Sequence, residues 1–237
     1  PKRIVDIGCG TGIHTASLLQ RYPKAEVIGL DFALPMLHKA RRQGRWWRRP
    51  RCLCADMDQL PIATQSVDLV FSNVALQWSN HPAQALAEMQ RILRPGGLLL
   101  FSSFGPDTLQ ELRAAWSQVD GFPHVHHFVD LHDYGDMLLQ VGLADPVMDM
   151  QRMTLTYPEV IALMKDLQAI GAVNAGTQRA RGLTGRARLR ALQQAYECYR
   201  QADGCLPASY EVIYGHAWGA LPRQQGNEVR VSLDVLR

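Results

Sequence analysis

The chain has 237 residues, 47% hydrophobic and 20% charged, with a formal net charge of +3. That is enough apolar content for one large domain with a sizeable core. No apolar run approaches the roughly 20 residues of a spanning helix and no charged-then-apolar leader is present, so membrane insertion and secretion are not expected and the cytoplasm is.

The first half alternates short apolar runs with helical patterns. Residues 3–7, 25–30, 51–55, 66–72 and 98–103 read as strands; 14–21, 35–42 and 81–93 read as helices, and 94–97 as a turn. In the third helix Leu86, Met89 and Leu93 form one stripe. This alternation predicts a parallel sheet covered on both faces. Beyond Ser103 the rhythm loosens. A helix is predicted over 130–142, capped by Asp130 and stopped at Gly142, then a strand over 144–157. From Tyr157 to about Ala202 the pattern is helical only: Val160, Leu163, Met164 and Leu167 share one face, and Leu189, Leu192, Tyr196 and Tyr199 another. Strand character returns over 206–218, with Tyr210, Val212, Tyr214, His216 and Trp218 alternating. A helical insertion between two late strands suits a lid, because loops at strand ends line the ligand crevice of such folds.

Five cysteines (Cys9, Cys52, Cys54, Cys198, Cys205) without CxxC spacing read as reduced thiols. Basic charge clusters at 41–51 and 179–190 read as solvated surface or as a dock for an acidic partner. Neither run sits in a recognisable nucleic-acid module. His124, His126 and His127 lack the supporting acids or cysteines of a metal site, so no metal is expected.

The stretch DIGCGTG at 6–12 places Gly8, Gly10 and Gly12 between a strand and a helix, where backbone amides attract anions and glycine permits close approach. Its GxGxG spacing departs from the dinucleotide GxGxxG, and Asp6 just before it would repel a pyrophosphate but welcome an ammonium group. Asp31 ends the second strand, where an acid can accept ribose hydroxyls; Asp56, after the third, is placed for an adenine amino group. Three acids and no phosphate to bind describe S-adenosylmethionine better than NAD.

These motifs, with ADMDQLP at 55–61, DLVFSNVALQW at 68–78 and LRPGGLLLFS at 93–102, resemble those of class I S-adenosylmethionine-dependent methyltransferases. The resemblance implies a Rossmann-like α/β fold: a seven-stranded, mostly parallel sheet with one antiparallel strand and helices on both faces. It implies Asp6, Gly8 and Gly10 near the methionine part, Asp31 at the ribose, Asp56 and Met57 at the adenine, and Asn73 near the sulfonium. Leu76, Gln77 and Trp78 then wall the pocket, core packing being the other reading of Trp78. One domain is expected: residues 1–104 as the cofactor half, 105–157 and 206–237 completing it, 158–205 as the lid. Class I enzymes carry a helical segment ahead of the first strand, and its absence here implies a missing beginning or a more open site.

The later motifs, among them 102–113, 126–136, 142–149, 170–174, 182–186 and 206–218, resemble the malonyl-acyl carrier protein O-methyltransferases of biotin synthesis. That resemblance implies methylation of the free carboxylate of a malonyl thioester on acyl carrier protein, with S-adenosylhomocysteine as co-product. A carboxylate is ionised at neutral pH, so no general base is expected. Lys165 and Arg186 are candidates to grip the carboxylate; Asn174, Tyr210 and Tyr214 are candidate hydrogen-bond donors, with strand packing the other role for the tyrosines. Acidic carrier protein gives Arg179, Arg181, Arg186, Arg188 and Arg190 a docking purpose. Two alternatives share the cofactor motifs: a methyltransferase acting on a quinone precursor or small acid, and a methyltransferase-like assembly factor for respiratory complex I.

Overall fold

The computed structural model describes residues 1–44, 47–169 and 185–221. In chain order the elements are β1 (Arg3–Ile7), α1 (Ile13–Arg21), β2 (Glu26–Asp31), α2 (Leu34–Ala40), β3 (Arg51–Cys54), β4 (Val67–Asn73), α3 (Pro82–Ile92) and β5 (Leu93–Phe104). They continue with α4 (Gln110–Ser117), α5 (Leu131–Gln140), β6 (Leu143–Tyr157), α6 (Val160–Ala169), α7 (Arg186–Tyr196) and β7 (Leu206–Gly219). The strands form one seven-stranded sheet in the order β3-β2-β1-β4-β5-β7-β6, in which β7 alone runs antiparallel to its neighbours. This is the Rossmann-like methyltransferase architecture that the motifs imply.

The central strands β1, β2 and β4 are covered on both faces, which is why they read as continuous apolar runs. On one face Val5, Ile7, Leu30, Val70, Leu99 and Phe101 pack with Leu86, Met89 and Ile92 of α3 and Tyr134 and Leu138 of α5. On the other, Ile4, Val27 and Leu69 pack against Leu19 of α1. Burying each such side chain contributes about 1.5–3 kcal/mol. Helix α5 is capped as its sequence predicts: Asp130 accepts the His132 amide at 2.8 Å, and Gly142 follows the last turn with φ of 82°. A third cluster belongs to the insertion. Leu112, Ala115 and Trp116 of α4 meet Val160 and Leu163 of α6, Leu192 and Tyr196 of α7, and Leu206 and Ala208 of β7. These β7 residues precede Val212, which lies opposite Phe104, so the insertion packs at the carboxyl end of the parallel strands.

The structure departs from the sequence reading in two places. Residues 94–97, expected as a turn before a strand, lie within β5 as a bulge: Val67 pairs with Leu93 but Leu69 with Leu98, so the intervening residues loop out. Helix α4 has no counterpart among the predicted elements. In the second half of β7, Val212, Ile213, Gly215, Ala217 and Gly219 are buried, whereas Tyr214 and Trp218 are each 41% exposed. Packing decides this, because Phe101 lies where a Cβ on Gly215 would be, 2.3 Å away, so only that face of β7 fits closely on the core.

Candidate functional site

Loops at the carboxyl ends of β1, β2, β3 and β4 build one hollow. In the glycine turn the amides of Gly8 and Cys9 both donate to the Leu30 carbonyl, at 2.8 and 2.9 Å, strapping the turn to β2. Gly8 and Gly10 adopt φ of 70° and 53°, which favours glycine. A Cβ on Gly8 would stand 2.2 Å from the Ala75 Cβ; one on Gly10 would meet nothing within 4 Å. Gly8 is thus demanded by packing against the chain leaving β4, and Gly10 leaves its backbone open to a ligand.

Asp31 closes β2, with one carboxylate oxygen accepting the Gly10 amide at 2.8 Å and the other the Ala33 amide at 2.7 Å. Each oxygen keeps a further lone pair, so two neighbouring hydroxyls can be accepted side by side. Asp56 accepts the Asp58 amide at 3.0 Å, and Asp58 accepts the Ser79 hydroxyl at 2.7 Å, tying the loop after β3 to the loop after β4. The enclosed space is about 530 Å³, with Asp31, Asp56 and Asp58 facing it alongside Leu30, Phe32, Met36, Met57 and Trp78. No Lys or Arg among the described residues lines it. A pyrophosphate there would face uncompensated negative charge, whereas a cationic adenosyl amino acid matches both the carboxylates and the apolar walls.

Of the eight residues assigned to the cofactor from sequence, the structure brings Gly8, Gly10, Asp31, Asp56 and Met57 to this hollow. The other three lie elsewhere. Asp6 is buried behind the turn at 1% exposure and accepts the Thr15 hydroxyl at 2.5 Å. Burial pushes its carboxyl up to about 6, against the pull of the Thr15 hydrogen bond and of His14. Gln77, in a 3-10 turn over Leu76–Trp78, turns inward: its amide donates to the Val74 carbonyl at 2.7 Å and lies 3.5 Å from the Ser103 hydroxyl. Asn73 lines a second cavity, about 500 Å³, with Phe71, Ser102, Val147, Tyr214 and His216.

Between hollow and cavity stands Val74, a β-branched residue held at φ of 51°. Such strain at a strand end is characteristic of functional sites. Its amide donates to both the carbonyl and the hydroxyl of Ser102, each at 3.1 Å. The Ser102 hydroxyl donates to the Asn73 side-chain oxygen at 2.7 Å, and the Asn73 side-chain nitrogen lies 3.1 Å from His14 Nε2. His14 and Ser102 escape a sequence reading because no spacing links the first turn of α1 to the end of β5.

The substrate candidates do not converge. Tyr214 joins Asn73 at the second cavity. Tyr210 packs 5.8 Å from the Phe104 ring and hydrogen-bonds Tyr157, which in turn bonds Asp166 of α6. Lys165 and Arg186 are exposed on α6 and α7. Asn174, Arg179 and Arg181 lie outside the described residues. His124 is 2.7 Å from Asp120 and stacks on Trp116 at 3.7 Å, while His126 meets Phe128 edge-on; among the described residues no group of His, Cys, Asp or Glu could hold a metal.

Residues 5–101 match the methyltransferase domain family. The chain is 49% identical to the malonyl-[acyl-carrier protein] O-methyltransferase of Halorhodospira halophila, covering 99% of this chain and 81% of that one. It is 50% identical to the enzyme of the same name from Laribacter hongkongensis, over 97% and 80% of the two chains. Among solved structures, the YcgJ protein of Bacillus subtilis superposes with a TM-score of 0.64 at 18% identity over 93% of each chain. The geranyl diphosphate C-methyltransferase of Streptomyces coelicolor, solved with S-adenosyl-L-homocysteine, gives 0.55 at 15% identity over 92% of this chain and 72% of that one. Those two likenesses speak to the fold; the close relatives, matched over four fifths of their length, place this chain in the malonyl-[acyl-carrier protein] O-methyltransferase family.

Proposed function

We propose that the chain transfers a methyl group from S-adenosylmethionine to the free carboxylate of a malonyl thioester on acyl carrier protein. The observation that carries this reading is the acid-lined hollow with no cationic side chain among the described residues that line it, in a chain nearly half identical to enzymes of that name. S-adenosylmethionine supplies an electrophilic methyl carbon on a sulfonium and leaves as S-adenosylhomocysteine.

Within this reading Asp31 takes the ribose hydroxyls, Asp56 the adenine amino group, and Met57 the adenine face. Gly8 and Gly10 let the methionine part lie close to the backbone, and Asp6 contributes negative charge toward its ammonium end. The carboxylate nucleophile needs no base, so the protein's task is alignment and exclusion of water. Holding oxygen, methyl carbon and sulfur in line removes translational freedom, a term of about 7–11 kcal/mol in well-oriented systems. Stripping water from the carboxylate adds to that. The insertion supplies both by covering the carboxyl ends of the strands; in this reading one of its cations, Lys165 or Arg186, holds the malonyl carboxylate, and Asn174, outside the described residues, is a further candidate donor. The resulting neutral methyl ester resembles an ordinary fatty acyl end, and this suits a cytoplasmic step that primes biotin synthesis.

The test is incubation with labelled S-adenosylmethionine and malonyl carrier protein. A labelled, base-labile ester on the carrier is expected. Label on a quinone precursor or a free small acid instead would reassign the substrate, and no transfer at all alongside stable capture of a respiratory-complex subunit would favour an assembly role.

A further inference from the structure

The chain of hydrogen bonds from Val74 to His14 has a fixed direction. The Ser102 oxygen accepts from the Val74 N–H, and because Asn73 turns its amide oxygen, which only accepts, toward Ser102, the serine proton goes to Asn73 Oδ1. That orients the carboxamide, leaving Asn73 Nδ2 to donate toward His14 Nε2 at 3.1 Å. A hydrogen bond in that direction requires His14 Nε2 to be the acceptor, as it is in the neutral tautomer protonated at Nδ1. Phe71 holds the ring from the side at 5.8 Å between centroids. The second hydrogen on Asn73 Nδ2 is left to the cavity that Asn73 lines.

We infer that His14 is a positioning residue for methyl transfer, acting as a neutral acceptor that holds the Asn73 amide at the boundary between hollow and cavity, where its free N–H meets the acceptor carboxylate. The inference rests on the carboxyl-methyltransferase reading. A proton on Nε2 would set donor against donor, turn the amide and break the Ser102 bond with it. The groups that bear on this switch are Asp6 of β1, electrostatically coupled to His14, Asp31 of β2, coupled to Asp6, and Asp149, Tyr214 and His216 around the cavity.

The experiment compares wild type, His14→Gln and His14→Ala at pH 8. Nitrogen NMR of His14 in the wild type provides a readout that needs no turnover. The expected spectrum is the Nδ1-protonated tautomer at pH 8. His14→Ala should lower kcat about tenfold with cofactor Kd changed less than about twofold, as misplacement of a reacting group does. His14→Gln, which still offers an oxygen to Asn73, should recover kcat to within about threefold. A proton on Nε2 at pH 8, unchanged kcat in His14→Ala, or no recovery of kcat in His14→Gln would each overturn the inference. Wild type inert on malonyl carrier protein, with the Nδ1 tautomer present, would instead overturn the substrate and Asn73's role toward it while the neutral-acceptor geometry stood.

Discussion

Gly8 lies against Ala75 with no room for a methyl group between them, a Cβ there falling 2.2 Å from the Ala75 Cβ. The glycine turn and the loop after β4 are thereby locked together, and both line the hollow. Gly8→Ala adds an overpacking cost of about 1–3 kcal/mol to a backbone cost of about 1–2 kcal/mol. Gly10→Ala carries only the backbone cost, since its Cβ meets nothing. The expected outcome is a large fall in Tm for Gly8→Ala, a small one for Gly10→Ala, and weakened cofactor binding in both, read by thermal melts and calorimetry. Equal melting temperatures would contradict the packing argument.

Asp6 is expected to make cofactor binding pH-dependent. Burial raises its carboxyl from 3.8 to about 6, so the folded state holds the proton more tightly than the unfolded state does. Stability from this group is therefore greatest below about pH 4 and is lost as pH rises to about 6, a difference of about 3 kcal/mol. An ammonium group near Asp6 would pull the carboxyl back down, so binding at pH 6 should release a proton. Calorimetry in two buffers of different ionisation enthalpy checks this: binding heats that do not depend on the buffer would remove Asp6 from the ammonium end. Asp6→Asn should raise the melting temperature of the free protein at pH 8 and cost cofactor affinity.

What the sequence made legible was local. The glycine spacing, the acids at the end of β2 and just after β3 and the apolar periodicities all act within a few residues; they located all seven strands and four residues of the hollow, and the family resemblance added Met57. What escaped depends on distant partners or on one unusual torsion. Helix α4 begins after Leu109 at φ of 54° and finds its burial against α6 and α7, far along the chain. Val74 at φ of 51° redirects the chain after β4, so Asn73 faces the second cavity and Gln77 the interior. Residue spacing carries no signal for that turn, because a β-branched residue is the last type expected there.

The basic face of α7 separates docking from catalysis. Arg186 and Arg190 are exposed, whereas Arg188 lies 3.8 Å from Asp120 and has a structural partner. The double variant Arg186→Glu, Arg190→Glu should raise KM for malonyl carrier protein about tenfold at low salt, with the loss shrinking as salt screens the attraction. A small malonyl thioester should be affected much less. Equal loss on both substrates would mean that Arg186 grips the carboxylate itself.

Glu111, at the start of α4, is 7% exposed and accepts both the amide and the hydroxyl of Ser209, next to Tyr210 at the root of the insertion. Truncation to Ala strands two donors, one of them a backbone amide, at about 1–3 kcal/mol each. Glu111→Gln keeps an acceptor oxygen and should cost about 1 kcal/mol. For a domain of this size each kcal/mol lowers Tm by about 2–4 °C. Because the bond fastens α4 to β7 on the insertion side and not to the hollow, Glu111→Ala should raise KM for the malonyl substrate while leaving cofactor Kd nearly constant. Hydrogen exchange should quicken in α4 and at the start of β7. A parallel loss of cofactor affinity would show that the insertion and the hollow open as one unit.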